Sequence, residues 1–501
     1  MPEASAMDNS RAGRREWLGL AVLAFPCFLL AVDFTVLHLA VPKITADLKP
    51  SSTQLLWIVD IYGFFIASSL ITMGTLGDRI GRRKLLMIGA TAFGAASAIA
   101  AFATTASTLI ISRALLGVAG ATLMPSTMAL IRNMFHDPDQ RRVAIAIWIN
   151  CFVVGGAIGP LLGGFMLEHF WWGSVFLLNV PVMVMLLSLA PVLLPEFRDA
   201  NAGTLDIMSA ALSLTSILSI IYGVKRIAQD GPSPVALGAI ALGVVLASLF
   251  VHRQRHLEHP LIDLGLFEVP AFTASVATQL IATITFGGLY LLVSQYLQLV
   301  LGLSPIHAGI SLLPATVVGV LGTIAAPLLV KRLPIGLVMP AGMILTSFGI
   351  FLLSTMEISS GIRTLVIAYV IMSFGVNIAM TLTTDMIMTV APPERAGAAS
   401  GISETSAELG AALGIALLGS VSTAYYRNAM STAPSEARAT LAGAIEYAHA
   451  GGGDGALALA AREAFTSSLN LVALISAALV MVTSVTTLGL LRKAAHSEQL
   501  H

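Results

Sequence analysis

Charge is scarce in this chain. Only 11% of its 501 residues are Asp, Glu, Lys or Arg, against about 25% in a soluble globular domain. The 27 cations balance the 27 anions, so no excess of either sign points to nucleic acid or to an acidic partner. Cysteine is nearly absent. Cys27 and Cys151 both fall in apolar runs, where each reads as a small buried hydrophobe rather than half of a disulfide framework. The ten histidines are scattered, and His252, His256 and His259 lie in a hydrophilic stretch where solvation is expected rather than metal binding. There is no Gly-x-x-x-x-Gly-Lys-Ser/Thr loop to cradle nucleotide phosphates and no nucleophile elbow. The expectations are no enzyme, no metal, no cofactor, and an ion gradient or the substrate's own gradient as the energy source.

What fills the chain is hydrocarbon: 56% hydrophobic residues and a mean hydropathy of +0.87. A bilayer core takes about 20 apolar residues of helix. At that length the sequence divides into fourteen segments: 17–41, 54–76, 85–103, 108–131, 143–167, 172–194, 207–226, 234–251, 270–296, 307–330, 335–354, 363–387, 396–424 and 467–491. The runs are continuously apolar, not alternating, which excludes a barrel. The first follows Arg11, Arg14 and Arg15 as a secretory signal would, but it stays apolar too long for a signal core and is read as a retained helix. With the N-terminus inside, eighteen cations fall on the cytoplasmic side and eight outside (Lys43, Lys49, Lys225, Arg226, Arg363, Arg427, Arg438, Arg462), leaving Arg113 within a helix. That bias predicts both termini in the cytoplasm.

The organisation predicted is a tail over 1–16, six helices over 17–194, a linker with two further helices over 195–269, six helices over 270–491 and a tail over 492–501. The hydrophilic stretch 425–466 lies outside and centres on Gly451-Gly452-Gly453-Asp454-Gly455. It reads as two short helices around a glycine hinge, with disorder the competing reading.

Ionisable residues at membrane depth are Asp33, Asp60, Arg113, Glu404 and Glu408, with Asp385 near a helix end. Each costs about 2.5–3.5 kcal/mol at a helix centre and such residues commonly mark ion or substrate paths. Arg113 has a plainer alternative, to neutralise Asp33. Glu404 and Glu408, four apart on one helical face with no cation near them in sequence, oppose each other's ionisation. Such a pair can carry a proton, attract a lipophilic cation, or both.

Several motifs carry a resemblance. Gly77-Asp78-Arg79-Ile80-Gly81-Arg82-Arg83-Lys84 joins the second and third segments. A short cytoplasmic loop is often basic, but the order from Gly74 also sets an Asp at the helix end and a Gly at the turn. Arg113-Ala114-Leu115-Leu116-Gly117 opens the fourth segment's motif. Gly155-Gly156-Ala157-Ile158-Gly159-Pro160-Leu161-Leu162-Gly163-Gly164 lies in the fifth, where small residues permit close helix packing and Pro160 a bend. With Trp57-Ile58-Val59-Asp60 and Ser403-Glu404-Thr405-Ser406-Ala407-Glu408, the chain resembles the fourteen-helix drug:proton antiporters of the major facilitator superfamily. Within these it is similar to pumps for quaternary ammonium compounds, dyes and methyl viologen, over residues 17–424. Most of that family have Asn where this chain has His38, and the second signature loop is reduced to Lys331-Arg332-Leu333-Pro334.

The resemblance implies an all-α polytopic fold of two six-helix bundles plus two inserted helices, a monomer in the bacterial inner membrane. The activity implied is export of small cationic lipophilic drugs against protons. Asp33, Asp60, Arg113, Glu404 and Glu408 would serve protons and substrate. Gly74, Asp78, Arg79, Gly81, Arg82, Arg83, Gly159, Pro160, Gly163 and Gly164 would serve conformational switching. A dedicated natural-product exporter is the alternative, and a channel or membrane enzyme a more distant one.

Overall fold

The computed structural model describes residues 12–198, 206–257, 260, 262, 264–358, 361–390, 396–449 and 455–498. Fourteen helices among them are long and apolar enough to cross a membrane. They are numbered α1 (Arg14–Leu48), α2 (Ser52–Ile80), α3 (Arg82–Ala101), α4 (Ala106–Met134), α5 (Pro138–His169), α6 (Ser174–Leu193, broken at Leu178), α7 (Ile207–Asp230), α8 (Pro234–Gln254), α9 (Pro270–Gln295), α10 (Pro305–Val330), α11 (Ile335–Leu353), α12 (Gly361–Val390), α13 (Ala396–Ala429) and α14 (Gly455–Glu498). No strand occurs among the described residues. In hydrocarbon, helices satisfy their own backbone groups. The ends are closed by residues suited to it: Ser51, Thr105, Ser233 and Ser304 each accept a backbone N–H of the first turn.

Helix ends depart from the hydropathy reading where polar residues continue a helix past the hydrocarbon. The last helix begins at Gly455 rather than near 467. Before it come two short helices, Ser435–Ala439 and Leu441–Tyr447. The outer stretch is therefore not a symmetrical hairpin. Both short helices precede the glycine run, whose residues 451–454 lie outside the described residues, and from Gly455 onward the chain already belongs to α14.

Packing repeats itself. In the first half α1 packs on α5, α2 on α4, α3 on α4 and α3 on α6. In the second half α9 packs on α13, α10 on α12, α11 on α12 and α11 on α14. Two six-helix bundles with one internal plan result, α1–α6 and α9–α14. They meet along two seams, α2 with α13 and α5 with α10. Small residues set the seams: a Cβ built on Gly63 would come within 2.9 Å of Ala412, one on Gly164 within 2.6 Å of Ile306, and one on Gly309 within 2.6 Å of the Pro160 carbonyl. The approaches at Gly164 and Gly309 lie near the helix ends remote from the Gly77–Lys84 loop, and the one at Gly63 lies near mid-helix.

The inserted α7 and α8 pack on each other, and among the described residues α7 makes the main packing against the bundles. It lies against both α2 and α13, over one seam, through a cluster of Phe64, Ile221, Ala412 and Ala416. The outer face of α8 carries Leu237, Leu242, Val244, Val245 and Leu249, all exposed in the isolated chain and suited to lipid.

Candidate functional site

The chain's own polar residues assemble at three places. In the first bundle, Arg113 of α4 is 1% exposed. Its Nη1 donates to Asp33 Oδ2 of α1 at 2.8 Å and its Nε to the Ile58 carbonyl of α2 at 3.3 Å. Its guanidinium lies 4.5 Å from the Tyr62 ring centre. The break at Leu178 starts a new helical turn at Asn179, whose amide donates to Asp33 Oδ1 at 3.4 Å and to Ser97 at 3.1 Å. One buried arginine–carboxylate pair therefore ties α1, α2, α3, α4 and α6 together.

The second place is unforeseen. Lys225 Nζ of α7 lies 3.0 Å from Asp60 Oδ1 and 2.9 Å from Oδ2, both side chains fully buried. The ammonium also sits 3.8 Å from the Trp57 ring centre, a cation–π contact. Lys225 is thus not an outer-loop cation: it is 1% exposed within α7. The sequence signal was misread because Lys225 and Arg226 adjoin near the end of an apolar run, the usual mark of a boundary. Arg226 does pair outward, with Asp230.

Third is a cavity of about 320 Å³ between the bundles. The first bundle contributes Thr35, Tyr62, Met124 and Phe152 to its wall, with Gly156 and Pro160 from the glycine run of α5; the second contributes Phe286, Tyr290, Tyr369, Asn377 and Glu408. Phe286 and Tyr290 stack at 5.9 Å, and His38, 1% exposed, packs edge-on behind Tyr290 at 5.1 Å. Glu408 is the carboxylate of this wall. Glu404, one helical turn nearer the loop end, is half-buried but outside the wall, with Arg132 of α4 within electrostatic range. Neither glutamate has a salt bridge among the described residues. Asp33 and Asp60 stand behind the wall rather than in it, and Asp385 is exposed on α12.

The glycine run divides by face. Gly155, Gly159 and Gly163 abut Phe28, Thr35 and Val36 of α1, while Pro160 and Gly164 abut α10. The signature loop turns on Gly81 alone, at φ 112°. Arg82 N donates to the Phe197 carbonyl at 2.9 Å, and Arg83 donates to the Leu194 carbonyl at 2.9 Å and lies 3.6 Å from Glu196. Glu196 was missed in the sequence because it sits in the break after α6. Arg79 is exposed and Gly74 lies near Pro125 of α4. The Asp78 side chain lies outside the described residues.

Two six-helix bundles of one plan, enclosing an aromatic and singly acidic cavity, define a multi-pass membrane transporter. The chain belongs to the Major Facilitator Superfamily, whose family model matches residues 23–415. It is 45% identical over 421 residues to the multidrug efflux pump LfrA of Mycolicibacterium smegmatis, covering 84% of each chain. It is 38% identical over 406 residues to the methyl viologen resistance protein SmvA of Salmonella typhimurium, covering 81% of this chain and 82% of that one. Among solved structures, an inward-facing bacterial homolog of the lysosomal transporter Spinster aligns with a TM-score of 0.69 at 18% identity, over 96% of this chain and 99% of that one.

Proposed function

We propose that this protein is a proton-coupled efflux antiporter for lipophilic cations, lying in the bacterial inner membrane with both termini cytoplasmic. The observation that carries the reading is Glu408 in the wall of an aromatic cavity between the bundles. Aromatic faces attract a desolvated cation, and a carboxylate offsets the charge it brings from water. No Arg or Lys lines that wall among the described residues, which favours a cation over an anionic antibiotic. Relatives named for multidrug efflux and for methyl viologen resistance support an export reading.

In the cycle proposed, drug entering from the cytoplasm or inner leaflet displaces protons from Glu408 and Glu404, with Asp33 and Arg113 coupling the occupied site to the first bundle. The bundles rock, drug leaves outward, and protons reload the carboxylates for the return. Gly159, Pro160, Gly163, Gly164 and the loop of Gly74–Arg83 serve the rocking. No cofactor enters, and the monomer is the working unit. The test is ethidium uptake into everted membrane vesicles energised by respiration. Uptake that collapses on adding an uncoupler supports the reading; uptake unchanged by the uncoupler, or none for any of several lipophilic cations, refutes it.

A further inference from the structure

The Asp60–Lys225 pair lies outside the cavity wall, and its chemistry differs from that of Glu408. Both charges are spent on each other, at 2.9 and 3.0 Å, in a place with no measurable exposure. The ammonium is further held over Trp57. Both Asp60 and Trp57 belong to α2. The polar attachment of α7 is therefore to the first bundle. Its contact with the second bundle is of another kind: Ile217, Leu218 and Ile221 share an apolar cluster with Ala412, Leu413 and Ala416 of α13, to which Phe64 of α2 also contributes. Apolar contacts are non-directional and survive small sliding. A buried ion pair does not, because parting it strands two charges in hydrocarbon.

Resting on the antiport reading above, we propose that Asp60 and Lys225 carry neither proton nor drug. They are positioning residues that fasten the inserted helices α7 and α8 to the first bundle, so that α7 travels with α2 and slides across α13 each time the bundles rock. Two six-helix bundles thereby become one body of eight helices moving against one of six.

Charge removal tests the fastening. Lys225→Met or Asp60→Asn alone leaves one buried charge unpaired, and each is expected to lower the initial efflux rate at least tenfold, or to lower the yield of folded protein. Removing both charges together is expected to return efflux to within threefold of the parent with the same uncoupler sensitivity and the same pH profile. A double variant as inactive as Asp60→Asn, with folded yield restored and Lys225→Met alone still active, would make Asp60 a working carboxylate and overturn the proposal.

Cross-linking tests the sliding. In a background without Cys27 and Cys151, a disulfide between cysteines at Phe64 and Ile221 locks α7 to α2 and is expected to leave at least half of the efflux. One between cysteines at Ile217 and Leu413 locks α7 to α13 and is expected to stop efflux until reduced. The reverse pattern, or arrest by both, would overturn the sliding of α7 on α13. Failure of the uncoupler test for the unsubstituted protein would count against the antiport reading and leave the double-variant yields to judge the fastening.

Discussion

At the scale of single residues, the buried charges divide into those already neutralised and those free to exchange partners. Asp33 has Arg113 and Asn179; Asp60 has Lys225; Glu404 and Glu408 have no salt-bridge partner among the described residues. The working pair is thus expected on α13. A bis-quaternary cation needs two anions to offset two desolvated charges, whereas a monovalent dye needs one. Glu404→Gln or Glu408→Gln is expected to reduce resistance to divalent cations more than to monovalent ones, and the double variant to disable both. Matched monovalent and divalent substrates in an efflux assay decide this, and unchanged divalent export in all three variants would make these residues structural. Asp33→Asn strands Arg113, a loss of about 3–5 kcal/mol for a broken buried pair. It is expected to insert, melt lower and lose coupled efflux; normal dye efflux would remove Asp33 from the mechanism. Sequence alone singled out five ionisable groups at membrane depth, because their cost in lipid makes them conspicuous, but it missed a sixth, Lys225, by assigning it to an outer segment. It did not reveal which pairs they form, since Asp60 and Lys225 are far apart in the chain and meet only once α7 docks.

At the scale of elements, hydropathy located every spanning helix because each must by itself fill the hydrocarbon. The ends of α1, α5 and α14 were misjudged because polar turns continue a helix beyond the lipid without changing its backbone pattern. The glycine run of α5 was legible as a packing surface. That its two faces serve different neighbours, α1 and α10, depends on the bundle arrangement, which no local pattern encodes. The signature loop was legible too, but its partner was not: Arg83 and the Arg82 backbone grip the segment after α6, through Glu196, Leu194 and Phe197. This loop is expected to govern switching rather than binding. Asp78→Ala and Glu196→Gln should each lower the initial transport rate several-fold while changing the equilibrium affinity for ethidium less than twofold. Equal losses of rate and affinity would contradict a switching role.

For the whole molecule, on the antiport reading proposed above, the number of protons released by the α13 carboxylates would set how the membrane potential enters. Exchange of one proton for one monovalent cation moves no net charge. Exchange of two moves one, worth about 2.3 kcal/mol per 100 mV. If both glutamates empty in each cycle, export of a monovalent dye is driven by the potential as well as the pH gradient. Clamping the potential to zero with valinomycin and potassium is expected to slow monovalent export by the parent and to leave the Glu404→Gln variant unaffected. Equal slowing of both would assign the second proton elsewhere.

The position of α7 over the α2–α13 seam has one more effect. The α5–α10 seam has no inserted helix across it, and Ile147, Val154 and Ile158 of α5 and Val317 and Leu321 of α10 remain bare in the isolated chain. The molecule thus has a front and a back: seen from within the leaflet, α7 covers the joint between the bundles on one side, while on the other the joint faces lipid directly.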